Sequence, residues 1–306
     1  MTRPETAAGQ GTSAPSAAVI HDIGFRSYGG PRLGRAHARA ALYAHSLRGA
    51  FGLGRNARSK VLPMLLLAGV CVPALVIVAV TVFTGSGDLP LQYTRYAIVT
   101  QALVTLFTAA QAPQAVSRDL RFRTTPLYFS RPIEAVDYVA AKYAALSSAL
   151  LALTGLPLLI LYVGALLGKL GFAHQTAGFA KGLVSVLLLS VLFAGIGLVI
   201  AAVTPRRGLG VAAVIGLFTV TYGAVSALQL VADRQEDRQV VGWLGLFSPI
   251  TLIDGLQSRF LDASSAFPHG AGPDAAAGAV YLVVLAAVVA GSFGLLLRRY
   301  RKAGLL

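Results

Sequence analysis

The residues best suited to chemistry lie in one charged segment, 117–142, between two long apolar stretches. Arginine and aromatic side chains are common anchors of protein interfaces. The segment combines them with carboxylates and a Ser-Arg-Pro break, so it predicts a short helix that projects from a membrane and docks on a soluble partner. The predicted docking residues are Arg118, Asp119, Arg121, Arg123, Tyr128, Phe129, Ser130, Arg131, Pro132 and Glu134.

Residue types that catalyse reactions or bind metals are scattered along the chain. The five histidines are dispersed, and the one cysteine, Cys71, sits in an apolar run with no predicted role. A phosphate-binding loop needs Gly-x-x-x-x-Gly-Lys-Ser/Thr after a strand. The nearest match, residues 164–170, is one residue short and ends in leucine. No catalytic residue, metal site or ATP site is therefore expected in this chain.

Three glutamines are the main polar groups of the otherwise apolar segment 96–116: Gln101, Gln111 and Gln114. Hydrogen bonding between membrane helices is the favoured interpretation, and contact with a substrate is the alternative. Gly216 and Gly223 belong to a stripe of small residues in a later apolar segment, which permits close approach of helices. These five residues mark the candidate substrate path.

The composition places these residues in a membrane. The 306-residue chain is 56% hydrophobic and only 12% charged, against about 25% charged residues in an ordinary soluble domain. Apolar stretches of about 20 residues are long enough to cross the hydrocarbon core as helices. Six such spans are predicted, at about 61–84, 96–116, 144–167, 183–203, 209–231 and 276–297.

The basic residues predict the orientation of these spans. The net charge is +14, which in a soluble protein would suggest nucleic-acid binding; membrane proteins instead gather Lys and Arg in cytoplasmic loops, and we favour that cause. Of the 26 basic residues, 20 fall in the N-terminal region, the loops after spans two and four, and the C-terminal tail. Both termini of this multi-pass chain are therefore predicted to be cytoplasmic, in the plasma membrane, with no nucleic-acid partner.

The region before the first span divides into two parts. Residues 1–25 have no apolar period and are predicted to be a disordered cytoplasmic tail. Region 26–60 holds eight basic residues and no acidic one. An amphipathic helix on the membrane surface is favoured there over a plain basic linker. Its predicted contact residues are Arg39, Tyr43, Leu47, Arg48 and Phe51.

The predicted external loop, 232–274, is too long to be only a connector. Ser248 and Pro249 make a good helix start, with serine as N-cap and proline at the first helical position. Ile253 and Leu256 follow at helical spacing. The predicted helix has about 12 residues, too few to span, so we expect it to rest on or dip into the outer leaflet.

The charged segment resembles the loop after the second span of ABC-2 type transporter permeases. The residues that carry the resemblance, in order, are Asp119, Thr124, Ser130, Arg131, Pro132, Tyr138 and Lys142. The sequence departs from the family in having Thr-Thr-Pro at 124–126, where Gly-Thr-Leu is more usual, and Asp119 in place of Glu. Segments 20–26 and 47–60 also resemble permeases of high-GC Gram-positive bacteria.

The resemblance implies an all-α membrane fold with six spans, a surface helix before the first and a short external helix before the last, at 61–306. It implies that two permease chains, identical or homologous, pair in the bilayer. Two ATP-binding cassette subunits, which bind the ATP and Mg, dock on the charged segment. The implied function is export of a hydrophobic or amphipathic compound.

Other functions remain as alternatives. The chain could be a non-transporting anchor or a signalling or immunity subunit of a cassette ATPase complex. An ion-coupled carrier is disfavoured because the predicted spans hold no Asp, Glu, Lys, Arg or His in their interiors. An intramembrane enzyme is the least favoured, and the sequence does not identify the substrate.

Overall fold

The structure is a computed structural model that describes residues 30, 33–54, 56–121, 133–204, 206–270 and 272–304. The predicted tail, 1–25, lies outside these residues. The described part is helical and contains no strand. Its helices are α1 (Arg35–Ala50), α2 (Ala57–Thr84), α3 (Tyr93–Val99), α4 (Gln101–Arg121), α5 (Ala135–Leu167), α6 (Phe172–Val203), α7 (Arg207–Arg234), α8 (Arg238–Leu244), α9 (Pro249–Phe260) and α10 (Ala275–Gly304).

Five helices are long and apolar enough to cross a membrane: α2, α5, α6, α7 and α10. They confirm the prediction of an all-α protein of the multi-pass membrane type. The predicted second span is not among them, because the glutamines of α4 lower its hydropathy. It also differs in shape: α3 ends at Val99 and α4 begins at Gln101, where one continuous helix was predicted.

Two other helices begin well before their predicted spans. α5 starts at Ala135 instead of 144, and α6 at Phe172 instead of 183. At the start of α5, Glu134 and Asp137 form a reciprocal capping box, which satisfies backbone N–H groups of the first turn. The capping box at α5 and tertiary contacts at both helices continue them past their apolar stretches, which were the only basis for the predicted bounds.

The helix directions follow from contacts near the helix ends. Val78 packs against Gly164, and four residues later Val82 packs against Gly168, so α2 and α5 run in the same direction. Asp119 lies 3.1 Å from Lys142 Nζ. The last turn of α4 therefore contacts the first turns of α5. α4 therefore runs opposite to α2 and α5, and it returns the chain from the end of α2 to the start of α5.

We call one end of the bundle the basic end. It contains α1, the N-termini of α2, α5 and α7, and the C-termini of α4, α6 and α10. Ser117 of α4 donates to the carbonyl of Ala201 of α6 (2.8 Å), and the rings of Tyr138 and Tyr300 lie 4.7 Å apart. These contacts bring together the described segments that hold most of the basic residues. The predicted N-terminal tail, 1–25, is not among them.

The core is built around α5 and α6, which are the most buried of the five long helices. At its centre the rings of Phe193 and Phe218 lie 4.2 Å apart and join α6 to α7. α2, α7 and α10 instead expose apolar faces, with side chains such as Leu65, Val220 and Val283 more than half exposed. Such faces suit contact with lipid or with another membrane chain.

Candidate functional site

A first ion-pair cluster joins α1 to the start of α5. Arg35 Nε lies 2.5 Å from Asp137 Oδ2, and the same guanidinium contacts Glu134. Arg39 lies 3.6 Å from the other oxygen of Asp137. The hydrogen bonds to Asp137 and Glu134 raise the pKa of Arg35, because they stabilise its charged form. The cluster ties α1 to the helix that follows segment 122–132.

A second cluster joins α4, α5 and α10. The Tyr138 hydroxyl donates to Asp119, and Lys142 Nζ lies 3.1 Å from the same carboxylate oxygen. Lys142 also lies 5.4 Å from the centre of the Tyr138 ring, which packs on Tyr300 of α10. The described residues that flank segment 122–132 are thus held to other helices, to α1 by the first cluster and to α10 by the second.

The structure describes only some of the predicted docking residues. Those within 122–132 lie outside the described residues: Arg123, Tyr128, Phe129, Ser130, Arg131 and Pro132. α4 extends to Arg121, so Arg118, Asp119 and Arg121 belong to a helix and not to a loop. Glu134 takes the N-cap position of α5.

Sequence reasoning missed Arg35 and Tyr300, the partners that α1 and α10 supply to the two clusters. The Glu-x-x-Asp spacing at 134–137 is a helix-start signal that could have placed the beginning of α5. No local signal could have paired Arg35 with Asp137, because 102 positions separate them.

α4 borders two cavities, one that it shares with α2 and α7 and one that it shares with α7 and α9. The cavity nearer the basic end has a volume of about 660 Å³ and is lined by Asn56, Arg58, Ser59, Leu62, Pro63, Gln111, Gln114 and Arg207. The second, of about 310 Å³, is mainly apolar and is lined by Gln101, Ala102, Thr105, Leu106, Ile215, Phe218, Thr219, Tyr222 and Ile250. We refer to these two separate cavities together as the α4 groove.

All three predicted glutamines line the α4 groove. Gln111 is 4% exposed, and its Oε1 has no hydrogen-bond partner within the described protein; the same is true of Gln101 Oε1. The favoured interpretation, hydrogen bonds between helices, is therefore not realised by these two carbonyl groups. A buried acceptor without a partner is costly, which makes the groove a candidate ligand site.

The stripe of small residues on α7 faces away from the rest of the described chain. A Cβ atom added at Gly216 or Gly223 would meet no atom within 4 Å. Close approach occurs instead at glycines that the sequence did not single out. A Cβ at Gly195 of α6 would lie 2.4 Å from the Tyr143 hydroxyl. The α7 stripe therefore contributes nothing to packing among the described helices.

The predicted surface helix corresponds to α1, and its apolar stripe packs on protein. Tyr43 donates to Ser148 of α5 (2.9 Å), Phe51 lies 5.7 Å from the Phe107 ring of α4, and Leu47 packs against the core. Arg48 is exposed. α1 lies alongside α5, and its position relative to the membrane surface stays a prediction.

The predicted external helix corresponds to α9, which has 12 residues with Pro249 at its first position. Ser248 takes the N-cap position, but its side chain makes no capping hydrogen bond. Ile253 and Leu256 are 1% and 3% exposed and belong to the core. These two side chains are therefore covered by protein and not by the outer leaflet.

A buried carboxylate holds α9 to its surroundings. Asp254 accepts hydrogen bonds from the Ala266 backbone (2.7 Å), the Gln257 amide (2.8 Å) and the Ser265 hydroxyl (3.2 Å). Gln257 in turn accepts from Ser185 of α6 (2.6 Å). Burial raises the pKa of Asp254 because it disfavours the charged form. We call this set the Asp254 network.

Among the described residues, no group of three His, Cys, Asp or Glu side chains is close enough to hold a metal ion. Cys71 of α2 is free and half-buried. No protein-family profile matches the chain, and comparison with curated proteins finds none of significant similarity.

Proposed function

We propose that the chain is the permease subunit of an ATP-driven ABC exporter of the ABC-2 type, which moves a hydrophobic or amphipathic compound across the plasma membrane. The observation that carries this is the pair of ion-pair clusters at both ends of segment 122–132. In a chain whose predicted spans lack ionisable interiors, a force applied from outside is the natural energy source. Two cassette ATPase subunits, which bind the ATP and Mg, would supply that force at the charged segment.

The proposal includes six membrane crossings, with α3 and α4 as the second. Two facts support it: α2 and α5 run in the same direction, and α4 runs opposite to both. A chain that crosses twice in one direction must return in between. The 21 residues of α4 extend about 32 Å at 1.5 Å per residue, close to the 30 Å hydrocarbon core. An even number of crossings leaves both termini on one side, which the positive-inside rule makes cytoplasmic.

The substrate path in this proposal is the α4 groove, between α2, α4 and α7. A second permease chain, identical or homologous, would close the groove. The exposed stripe at Gly216 and Gly223 supports such a partner, because small residues allow close helix contact in lipid. When the ATPases close, the charged segment moves α4 and α5 through their attached clusters, and the groove opens toward the opposite side of the membrane.

The alternative is a non-transporting membrane anchor for a cassette ATPase. An anchor would need the docking segment and the two clusters, but it would have no use for the α4 groove. The two cavities and the unpartnered oxygens of Gln101 and Gln111 favour transport over anchoring.

The test is to reconstitute the chain with a cassette ATPase in liposomes and to measure ATP hydrolysis and ATP-dependent movement of fluorescent amphiphiles. We expect Ser130→Asp and Arg131→Glu to lower both activities, while Arg259→Glu, the same charge reversal at the opposite end, leaves both unchanged. ATP turnover that responds to these variants without any movement of solute would establish the anchor instead. Export that stops when the proton gradient is dissipated at constant ATP would exclude ATP as the energy source.

A further inference from the structure

We propose that the apolar cavity of the α4 groove binds a small uncharged compound that has an apolar body and one hydrogen-bond acceptor, such as a carbonyl oxygen. This cavity, of about 310 Å³, lies between α4, α7 and α9. The hydroxyl of Thr105, which lines the cavity, donates to the acceptor. Because the inference names the class of compound that enters the substrate path, it rests on the proposed function.

The walls of the apolar cavity carry no charge. None of its lining residues is Asp, Glu, Lys, Arg or His. Apolar side chains from all three helices border it, among them Leu106 of α4, Ile215 of α7 and Ile250 of α9. An ionic group placed there would lose its hydration without gaining a counter-ion, which is costly. The cavity therefore favours an uncharged compound over an anion or a cation.

Thr105 differs from the threonines on either side of it. Thr100 and Thr108 each donate to the backbone carbonyl four residues earlier, at 3.0 and 2.9 Å. Thr105 is 6% exposed, yet its hydroxyl makes no hydrogen bond with a described residue. The hydroxyl oxygen is not sealed, in contrast to the enclosed Oε1 of Gln101. Because Thr105 lines the apolar cavity, this unpartnered hydroxyl opens onto it.

Two more polar side chains line the same cavity. Gln101 lies about one helical turn before Thr105 on α4, and Tyr222 belongs to α7. Gln101 Nε2 and the Tyr222 hydroxyl have no hydrogen-bond partner among the described residues, and neither atom is sealed. An amide nitrogen can only donate, whereas a hydroxyl can donate or accept. The capacity to donate is common to all three groups, so the matching ligand carries an acceptor.

The size and the polar groups of the cavity together favour a ring compound over the acyl chain of a lipid. Small-molecule pockets in proteins have volumes of about 300 to 1,000 Å³, so this cavity lies at the small end of that range. An acyl chain has no acceptor and would leave the Thr105 hydroxyl unpaired in apolar surroundings, which costs free energy. A compound of one or two rings with a carbonyl group fills the space and pairs the hydroxyl.

The basic-end cavity provides a contrast within the same chain. Arg58 and Arg207 line it, and it shares no lining residue with the apolar cavity. Coulombic attraction to such side chains can bind an anionic probe without any fitted site. Binding must therefore be assigned to the apolar cavity by variants of its own lining residues.

The test is binding of a fluorescent ketone to the purified full chain in phosphatidylcholine nanodiscs, without any ATPase. The probe is Prodan, an uncharged naphthalene with a propionyl group, whose emission moves to longer wavelength when its carbonyl accepts a hydrogen bond. Two analogues carry a carboxylate or a propyl group in place of the propionyl group. Empty nanodiscs measure the background from partition into lipid. We expect Prodan to bind about tenfold more tightly than the carboxylate analogue.

Thr105→Val removes the hydroxyl and keeps the shape of the side chain. Because the hydroxyl has no partner in the described protein, the variant should fold as well as the unaltered chain, checked by its elution as a single species. We expect it to bind Prodan about fivefold more weakly, with emission of the bound probe at shorter wavelength and with unchanged binding of the propyl analogue. Thr108→Val, the same change at a side chain that lines neither cavity, should leave Prodan binding unaltered.

Ala102→Phe tests the location. Ala102 is exposed and lines the apolar cavity, so a phenyl ring there should fill the cavity and abolish binding of both Prodan and the propyl analogue. Ala213→Phe, at an exposed position of α7 outside the cavity lining, is the matched control and should change neither. Equal effects of the two variants would show that the probes bind elsewhere and would overturn the site.

Two further results would overturn the proposed ligand class. Binding of the carboxylate analogue as tight as that of Prodan, and sensitive to Ala102→Phe, would exclude a preference for uncharged compounds. Equal loss of Prodan and the propyl analogue in Thr105→Val would show that Thr105 acts by shape and not as a donor. Since binding needs no ATPase, either failure leaves the proposed exporter intact, whereas binding without ATP-dependent movement would count against the exporter alone.

Discussion

At the basic end, Asp137 and Asp119 each face a cation from another helix, whereas at the opposite end Asp254 is held by uncharged donors. Arg35, the partner of Asp137, has a side chain that is 48% exposed. Asp254 is 1% exposed, and Arg95 of α3 binds the Ser265 carbonyl beside it (3.0 Å). The two ends therefore hold carboxylates by different physical means.

The exposure of the partners indicates which contacts open most readily. The guanidinium of the Arg35–Asp137 pair is half exposed, and ion pairs with exposed partners exchange for water at little cost. The Asp119–Lys142 pair, with side chains 18% and 10% exposed, is held more firmly. A buried network whose members are all paired is expensive to open, because each freed donor or acceptor lacks a partner. At the basic end the Arg35 contact therefore exchanges most readily, and at the opposite end the Asp254 network holds α9 in place.

The largest expected effect is at the fixed end. Asp254→Ala leaves the Ala266 N–H and the Gln257 amide without their acceptor, so we expect a loss of about 3 kcal/mol in the free energy of unfolding. Thermal unfolding of the purified chain in detergent measures it. Asp262→Asn is the control, because this side chain is 99% exposed and asparagine tolerates the left-handed backbone of this position (φ 51°), so we expect little change. Equal effects of the two variants would remove the contrast between the ends.

A somewhat smaller effect is expected at the second cluster. Asp119→Asn leaves the mostly buried Lys142 ammonium without its ion pair, and we expect about 2 kcal/mol of destabilisation. Adding Lys142→Met should recover part of this loss, because it removes the charge that the neutral amide at position 119 no longer balances. A double-mutant cycle measures the coupling between the two sites; additive effects would show that the pair contributes nothing.

The pH dependence of stability should also distinguish the two ends. Since burial raises the pKa of Asp254 above 3.8, the folded chain holds this proton to higher pH than the unfolded chain does. Its contribution is complete below pH 3.8 and is lost as the pH rises through the raised pKa. Stability relative to Asp254→Asn, which cannot titrate, should therefore fall as the pH rises from about 4. A difference that stays constant or grows would contradict this.

The smallest expected effect on unfolding is that of Arg35→Gln, because the guanidinium is half exposed. Its consequence should be local: α1 loosens from α5, and proteolysis between α1 and α2 becomes several-fold faster while the thermal midpoint stays nearly unchanged. Arg48→Gln on the same helix, which has no ion pair with a described residue, is the control. Equal proteolysis rates in both variants would show that the first cluster does not hold α1.

Much of the framework could be predicted from local signals. Long apolar stretches identified the five long helices, because a charge-free run of that length leaves few other structures in a membrane. The Ser-Pro start placed α9 to the residue. The same signals failed at α3 and α4, where polar residues break the apolar pattern, and at the starts of α5 and α6, where helices continue beyond their apolar stretches.

Local sequence signals predicted only part of the candidate site. The sequence identified Gln101, Gln111 and Gln114 as unusual, but their hydrogen-bonding state depends on which groups α2 and α7 place beside α4. It identified the stripe of Gly216 and Gly223, but not that this face of α7 points away from the described chain.

Hydropathy and charge are properties of short stretches, so the amino-acid sequence was enough to predict a helical protein of the membrane type with its basic residues concentrated in a few segments. Only the folded chain shows that α2 and α5 run in the same direction, that Arg35 contacts Asp137, and that Arg58, Arg207 and Gln111 line one cavity. These facts depend on contacts between residues 50 to 150 positions apart, and no local pattern records which helix packs against which.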